Sequence, residues 1–583
     1  MLWGRPFHFW SFGLAWVSLA ERMRATRFVS GRAARRLRVG VQSPFTLITR
    51  WGFAIPERLL IAPQDIRTSD PTIADDIYAG HFSLASRIVN THGQSPFVIV
   101  PPSQEWEEAL HGFGWLRHLR AADTALSRAN GRALVEEWID LFGSVDTGPG
   151  WTPAMASRRL IAWLSQSPLI LENADRDFYR KLMKCLGWHG RYLQRAMSGV
   201  IADHDRLIVA MALMDLSLCA QGLDRLQKRA LKWLTEELRR QILPDGGHIG
   251  RNPQVLVDLL VDLLPLRQAF VARGIAVPAQ LIQSIDRMMP MLRMFRHADG
   301  SLALFNGMGN TPPDLVATVL AYDDARTQPI FNAPHSGYQR LEANGSIVIM
   351  ETGSPPPVGF SHQAHAGCLS FEFSAGQSRL IVNCGAPRAG RPAFTEAARS
   401  TPAHSTLILS DSNSSRIVTG ANVSRSLEGL IVAGPSQVPV KRISNEDGVS
   451  LEVSHDGYQN KFGVLHHRRL TLAPDGSYLF GEDKLSLAGR HSSGTGEYVL
   501  RFHLHPSVQV QAYEDQRAVQ LVAANGEAWL FHASGQTIAI DQSIFFAAPD
   551  GVRPTMQLVV SGKVQDLPEV KWALIRQSQL SMG

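Results

Sequence analysis

Gln363-Ala364-His365-Ala366-Gly367, Leu369-Ser370-Phe371-Glu372-Phe373, Leu380-Ile381-Val382-Asn383-Cys384-Gly385 and Thr401-Pro402-Ala403-His404-Ser405 follow one another in the stretch from Gln363 to Ser405. Apolar residues alternate with polar ones in the middle blocks, the period of half-buried strands. His365, Asn383 and His404 each stand beside such a strand. Strands from distant parts of a chain meet in a sheet, so two imidazoles and an amide oxygen can converge there as ligands for a divalent metal.

The same period runs outward to both sides of this stretch. Ser346-Ile347-Val348-Ile349-Met350, Leu407-Ile408-Leu409, His467 to Leu472 and Tyr498 to His505 read as strands, with turns at Pro474-Asp475-Gly476 and Asn525-Gly526. Many strands with no helix between them predict an antiparallel β-sandwich. Arg501, His503 and His505 share one face of their strand, which reads first as a polar sheet face and second as ligands.

Upstream, from Ala74 to Asp323, apolar residues recur at helical spacing, as in Arg158 to Leu164, Leu207 to Leu213 and Val255 to Leu264. Pro153 and Pro253 mark first turns, and Pro265 is expected to close its helix. Pro329, Asn332, Pro334 and Gly337 break the pattern. The expected domains are a basic arm over 1–45, a helical domain over 46–330 and a β-sandwich over 331–583.

These blocks resemble the C-terminal sheet domain of the heparinase II/III-like polysaccharide lyases. The resemblance implies a multidomain α plus β chain: an N-terminal incomplete α/α toroid, then an antiparallel β-sandwich. His365 and His404 match the family's metal-site histidines, Asn383 stands where an aspartate is usual, and Gln363 stands where a catalytic histidine is usual. Zinc is the implied ion. Asp203-His204-Asp205-Arg206-Leu207 matches the family's Asn-His helix start with the asparagine gone, and either aspartate would also serve simply as a helix cap. Asp245-Gly246-Gly247-His248-Ile249-Gly250-Arg251-Asn252-Pro253-Gln254-Val255 matches the loop that carries the family's catalytic tyrosine, with Val255 in the tyrosine's place.

Elimination from a uronate needs a group that neutralises the carboxylate, a base for the carbon-bound proton and an acid for the departing oxygen. Valine can supply none of these. The candidates for the work are therefore His248, His204, Arg251, Gln363 and Tyr338, with Tyr192 or a metal-bound water as further options. His248 and Arg251 read equally well as surface-loop residues without a role. Arg158, Arg159 and Trp163 form a basic-aromatic helix edge suited to a sugar, although Trp163 alone reads as core. The family reading is a lyase acting on an acidic, uronate-containing glycan of the cell envelope or periplasm. The alternative is a catalytically degenerate glycan-binding or envelope-structural protein of the same fold, towards which Gln363, Asn383 and Val255 all point.

Composition sets the outer bounds. The 583 residues are 45% hydrophobic and 19% charged, which fits several globular cores and no fibrous or disordered class. The formal net charge of +6 owes much to the arm, where Arg22, Arg24, Arg27, Arg32, Arg35, Arg36 and Arg38 occur with no acidic residue up to Arg50. That arm reads as a basic helix on an anionic membrane surface, or as a flexible or spurious leader. Phe7 to Ala20 is apolar but lacks a clear signal-peptide cleavage site and is too short to span a bilayer, which leaves a cytoplasmic or membrane-peripheral place open beside the envelope or periplasm that the resemblance implies. No aromatic platform or known module accompanies the arginines, so no nucleic-acid partner is expected. Cys185, Cys219, Cys368 and Cys384 show no CxxC spacing and read as buried free thiols. Oligomeric state is open. There is no fixed-period repeat, Gly-rich phosphate loop, GxSxG elbow or convincing carboxylate pair for glycoside hydrolysis.

Overall fold

The computed structural model describes residues 26–27, 30, 55–144, 147–199, 201–323, 326–388, 392–419, 427–488, 496–514 and 516–577. Nearly all of the basic arm therefore lies outside the described residues.

Among the described residues from Thr72 to Ala321 the regular elements are helices apart from one hairpin, His81–Leu84 with Arg87–Asn90, which the sequence pattern does not announce. The helix Arg206–Cys219 is buried on every face beyond its first residue. Such an all-round apolar helix must lie at the centre of a helical layer. It packs against Pro153–Ser165, Arg176–Ser198, Asp224–Gln241 and Pro253–Ala272. Helix starts follow their caps: Thr152 and Asn252 accept from the backbone N–H groups of Met155 and Gln254, each with proline next in line.

Pro265 corrects the expectation drawn from it. It sits inside the helix Pro253–Ala272 and does not end it. Leu263, Leu264, Leu266, Ala269 and Phe270 are all buried around it, and that burial outweighs the backbone hydrogen bond the proline ring forgoes. Arg159 also departs from the sugar-edge reading. It is fully buried, its guanidinium 3.8 Å from the Trp138 ring centroid and donating to His189 Nε2 at 2.9 Å.

The last helix of this region ends at Ala321, and strands begin at Asn332. Two large sheets follow. One is ordered Ala539–Phe545, Arg553–Lys563, Glu497–Leu504, Ser378–Val382, Phe371–Ala375, Ser346–Glu351, Tyr338–Ala343, Asn332–Ala333; Leu407–Leu409 also pairs with Glu497–Leu504. The other is ordered Val440–Asn445, Gly448–His455, Val464–Leu472, Tyr478–Leu487, Glu569–Arg576, Ala528–Ala533, Ala518–Val522, Gln509–Ala512. Within both large sheets the pairings are antiparallel.

The sheets share one core. Phe371 of the first stacks on Trp572 of the second with centroids 5.5 Å apart, and Phe502 meets Trp572 edge-on at 4.8 Å. Gly481 faces Trp572 across its strand pair, where any Cβ would overlap the indole. The expected α plus β fold with a sandwich is the observed one. Cys185, Cys219, Cys368 and Cys384 are free and buried.

Candidate functional site

The loop between the helices Asp224–Gln241 and Pro253–Ala272 joins the two halves of the molecule. Asp245 accepts from the backbone N–H groups of His335 (2.8 Å) and Ser336 (2.7 Å), at the entry to the sandwich. Gly246 follows at φ +88°, with the carbonyl of Arg287 where a Cβ would stand. His248 comes next and is buried, with both ring nitrogens engaged: Nδ1 accepts from Gly250 N–H at 3.0 Å, and Nε2 lies 3.2 Å from Gln241 Oε1. Burial, then the neighbouring His204, lowers its pKa to about 3. Neither the surface-loop reading nor a free acid–base group describes this side chain.

Arg251 is likewise buried rather than exposed. Its backbone is left-handed at φ 64°, and its guanidinium donates to the carbonyls of Ser336, Gly337, Gly353 and Ser354. Its Nη1 is also 3.1 Å from Glu351 Oε1. Asn306 donates to that oxygen at 2.9 Å and to Tyr338 Oη at 2.7 Å, while Tyr338 donates to the Arg251 carbonyl at 2.6 Å. The Asn306 oxygen accepts from the backbone N–H of His365 at 3.0 Å. Burial holds the Tyr338 hydroxyl far above its ordinary pKa and raises Glu351 as well. This network locks the domains together. It leaves the Tyr338 hydroxyl no free proton to offer a substrate and commits Nε, Nη1 and Nη2 of Arg251 to protein acceptors.

Across the same seam His204, in the short turn Asp203–Asp205, stacks on His362 with ring centroids 4.0 Å apart and planes at 27°. His362 Nδ1 is buried without a hydrogen-bond partner. Burial, then His204, Arg399 and His248, lowers the His362 pKa to about 3. Gln363, next in sequence, is exposed and accepts from Asn252 Nδ2 at 3.0 Å. The sequence motif assigns the catalytic-histidine position to Gln363; the imidazole that meets His204 belongs to the residue before it. Asn306 and Glu351 were also unmarked, because a buried network formed between loops and strands leaves no fixed sequence spacing.

His365 and His404 do meet. His365 Nδ1 lies 3.0 Å from His404 Nε2, and His404 Nδ1 lies 2.8 Å from the Ser400 carbonyl. That carbonyl requires a proton on His404 Nδ1, so Nε2 accepts from His365. Burial depresses both pKa values, His404 to about 4. Asn383 gives its oxygen to the Ser405 N–H at 3.0 Å, and its Nδ2 is buried without an acceptor. Among the described residues no three His, Cys, Asp or Glu side chains gather closely enough to hold an ion. The donors as arranged do not fit zinc: the imidazoles bond each other, and the third position presents an amide in place of a carboxylate.

Val255 is half-buried on the first turn of its helix. His503 bonds Ser543 and the Pro402 carbonyl, and His505 bonds Ser507 and Arg379, which favours the polar-face reading.

The model of the heparinase II/III-like C-terminal domain matches residues 325–573. FtsZ-localized protein C of Caulobacter vibrioides is 32% identical over 535 residues, covering 89% of this chain and 91% of that protein. A crystal structure of heparinase III superposes with a TM-score of 0.68 at 13% identity, covering 96% of this chain and 91% of the other. A mutant of heparan sulfate lyase HepC from Pedobacter heparinus gives 0.61 at 13% identity, with the same coverage. At that identity the two structures speak for the fold, including the incomplete toroid.

Proposed function

The chain belongs to the heparinase II/III-like family, and from that premise we propose that it is a non-catalytic member that binds glycan at the cell envelope. The observation that carries this reading is the commitment of the expected acid–base groups. His248 has both nitrogens engaged, Tyr338 donates to a backbone carbonyl, Gln363 bonds Asn252, and valine stands at position 255. A general acid or base must reach the proton it transfers and titrate near working pH. None of these does so.

The name of the relative in Caulobacter, an FtsZ-localized protein, supports a place in an assembly more than a digestive role. The arginine-rich arm would supply contact with an anionic membrane surface, since each arginine near such a surface contributes about 1 kcal/mol. Among the described residues no helix is long and apolar enough to cross a membrane.

Elimination stands as the second reading on one observation, the His204–His362 stack with its unpartnered Nδ1. In it, His204 would face the substrate carboxylate while His362 takes the carbon-bound proton and returns it to the departing glycosidic oxygen as the C–O bond breaks and the C=C bond forms. The two readings separate in one assay: incubation with uronate polymers, followed by near-ultraviolet absorbance of unsaturated uronyl ends. Retention of glycan without new absorbance supports the first.

A further inference from the structure

The helical domain holds a cavity of about 600 Å³, within the usual range for small-ligand sites. Its walls come from Pro63 to Arg67, the hairpin at Phe82 and the helices Pro153–Ser165, Arg206–Cys219 and Pro253–Ala272, with Arg388 reaching in from the sheet domain. It is separate from the histidine stack: neither His204 nor His362 lines it.

Its lining is rich in carboxyl groups. Six carboxyl groups line it against four guanidinium groups. Three of those guanidiniums are already engaged. Arg67 pairs with Asp65 (3.3 Å) and Asp262 (2.6 Å), Arg158 pairs with Asp262, and Arg117 donates to the carbonyls of Thr68 (3.0 Å) and Gly114 (2.6 Å). On the acidic side Asp215 is 5% exposed, lines the cavity, and has an Oδ1 with no hydrogen-bond partner. Asp258, one turn before Asp262, takes a single hydrogen bond from Gln254 at 3.0 Å. Burial raises the pKa of both Asp215 and Asp258, and Asp262 adds to the shift of each, so both favour the neutral form until a cation beside them restores the carboxylate.

A buried carboxyl without a partner is an unmet demand for a donor. A uronate would add a further carboxyl beside Asp215 and Asp258, two groups that burial already disfavours as anions. An ammonium would instead supply a positive charge and several N–H donors, while Trp115 and Phe82 offer apolar wall for a sugar ring. We propose that this cavity binds a saccharide carrying a free amine, with the ammonium set against Asp215. The proposal rests on the glycan-binding reading and names the ligand class; it departs from the acidic glycan that the family resemblance implies.

Calorimetric titration of the full chain with a glucosamine trimer, its N-acetylated counterpart, a uronate trimer and spermidine tests it. The glucosamine trimer should bind, and the other three should bind at least about tenfold more weakly. Asp215→Asn, an isosteric change checked by circular dichroism, should weaken the glucosamine trimer by about 10- to 100-fold, the worth of one charge-assisted hydrogen bond. Asp258→Asn, at a half-buried position, serves the same purpose should Asp215→Asn not fold. Equal binding of the N-acetylated or uronate trimer, tight binding of spermidine alone, or unchanged affinity in the variants would overturn the amine site while leaving glycan binding intact. Failure of every saccharide to bind would overturn both.

Discussion

The imidazoles of His204 and His362 lie 4.0 Å apart, centroid to centroid, one on the helical domain and the other on the sandwich's loop between the strands Ser346–Glu351 and Phe371–Ala375. Stacked rings this close cannot both carry charge without repulsion, and burial keeps His362 neutral with a pKa near 3. The contact therefore joins the domains at neutral pH and weakens in acid.

The acid dependence has a definite sign. His362, His248 and His404 have folded-state pKa values of about 3, 3 and 4, below the ordinary 6.5. The unfolded chain thus binds protons first, and stability is lost as pH falls from 6.5 towards 3. Urea unfolding at pH 7 and pH 5 should show the loss, each such histidine contributing up to about 1.4 kcal/mol per pH unit. His362→Gln should flatten the dependence. An unchanged slope in that variant would show that His362 is not buried neutral.

Breaking the ion pair at the domain seam should be costly. Arg251→Met leaves the Glu351 carboxyl buried with Asn306 as its remaining hydrogen-bond partner among the described residues and strips the carbonyls of Ser336, Gly353 and Ser354 of their donor, while that of Gly337 keeps the Thr352 N–H. Removing one member of a buried pair typically destabilises by about 3–5 kcal/mol. Glu351→Gln should cost less, because an amide can still meet Asn306. Thermal melts of the two variants decide the ranking.

How much of this was legible in the sequence differs between the halves of the argument. Hydrophobic period separated helices from strands, since a chain that buries one face must repeat at the spacing of its own backbone. The meeting of His365 with His404 was legible because both positions matched one motif. Pro265 was misleading, since local breaker chemistry lost to the burial of a wholly apolar helix. His362 escaped notice because a motif register displaced by one residue hides which side chain turns towards the seam. The engagement of His248 and Tyr338 depends on partners such as Gln241 and Arg251, whose positions only the folded chain sets.

Metal content offers an independent check. Because Asn383 turns an orphaned amide nitrogen inward and His365 bonds His404, purified protein should hold no stoichiometric zinc. A chelator should leave its melting temperature unchanged. One zinc per chain, with a melt lowered by its removal, would show that the imidazole hydrogen bond gives way to an ion.

The arm makes a separable prediction. Deleting residues 1–45 should abolish binding to anionic vesicles, and full-length protein should detach as salt rises, because surface charges are screened beyond about 10 Å at 0.1 M. Binding that survives the deletion would assign membrane contact to the folded domains.

The central claim, that this family fold is retained here without lyase chemistry, meets its most direct test in the near-ultraviolet assay run on the full chain and on a His204→Ala, His362→Ala double variant. The account predicts no rise in absorbance above buffer for either protein on any uronate polymer. A rise with the full chain that the double variant loses by about 10²-fold or more, the usual contribution of an acid–base group, would contradict it and make the stacked histidines the catalytic pair.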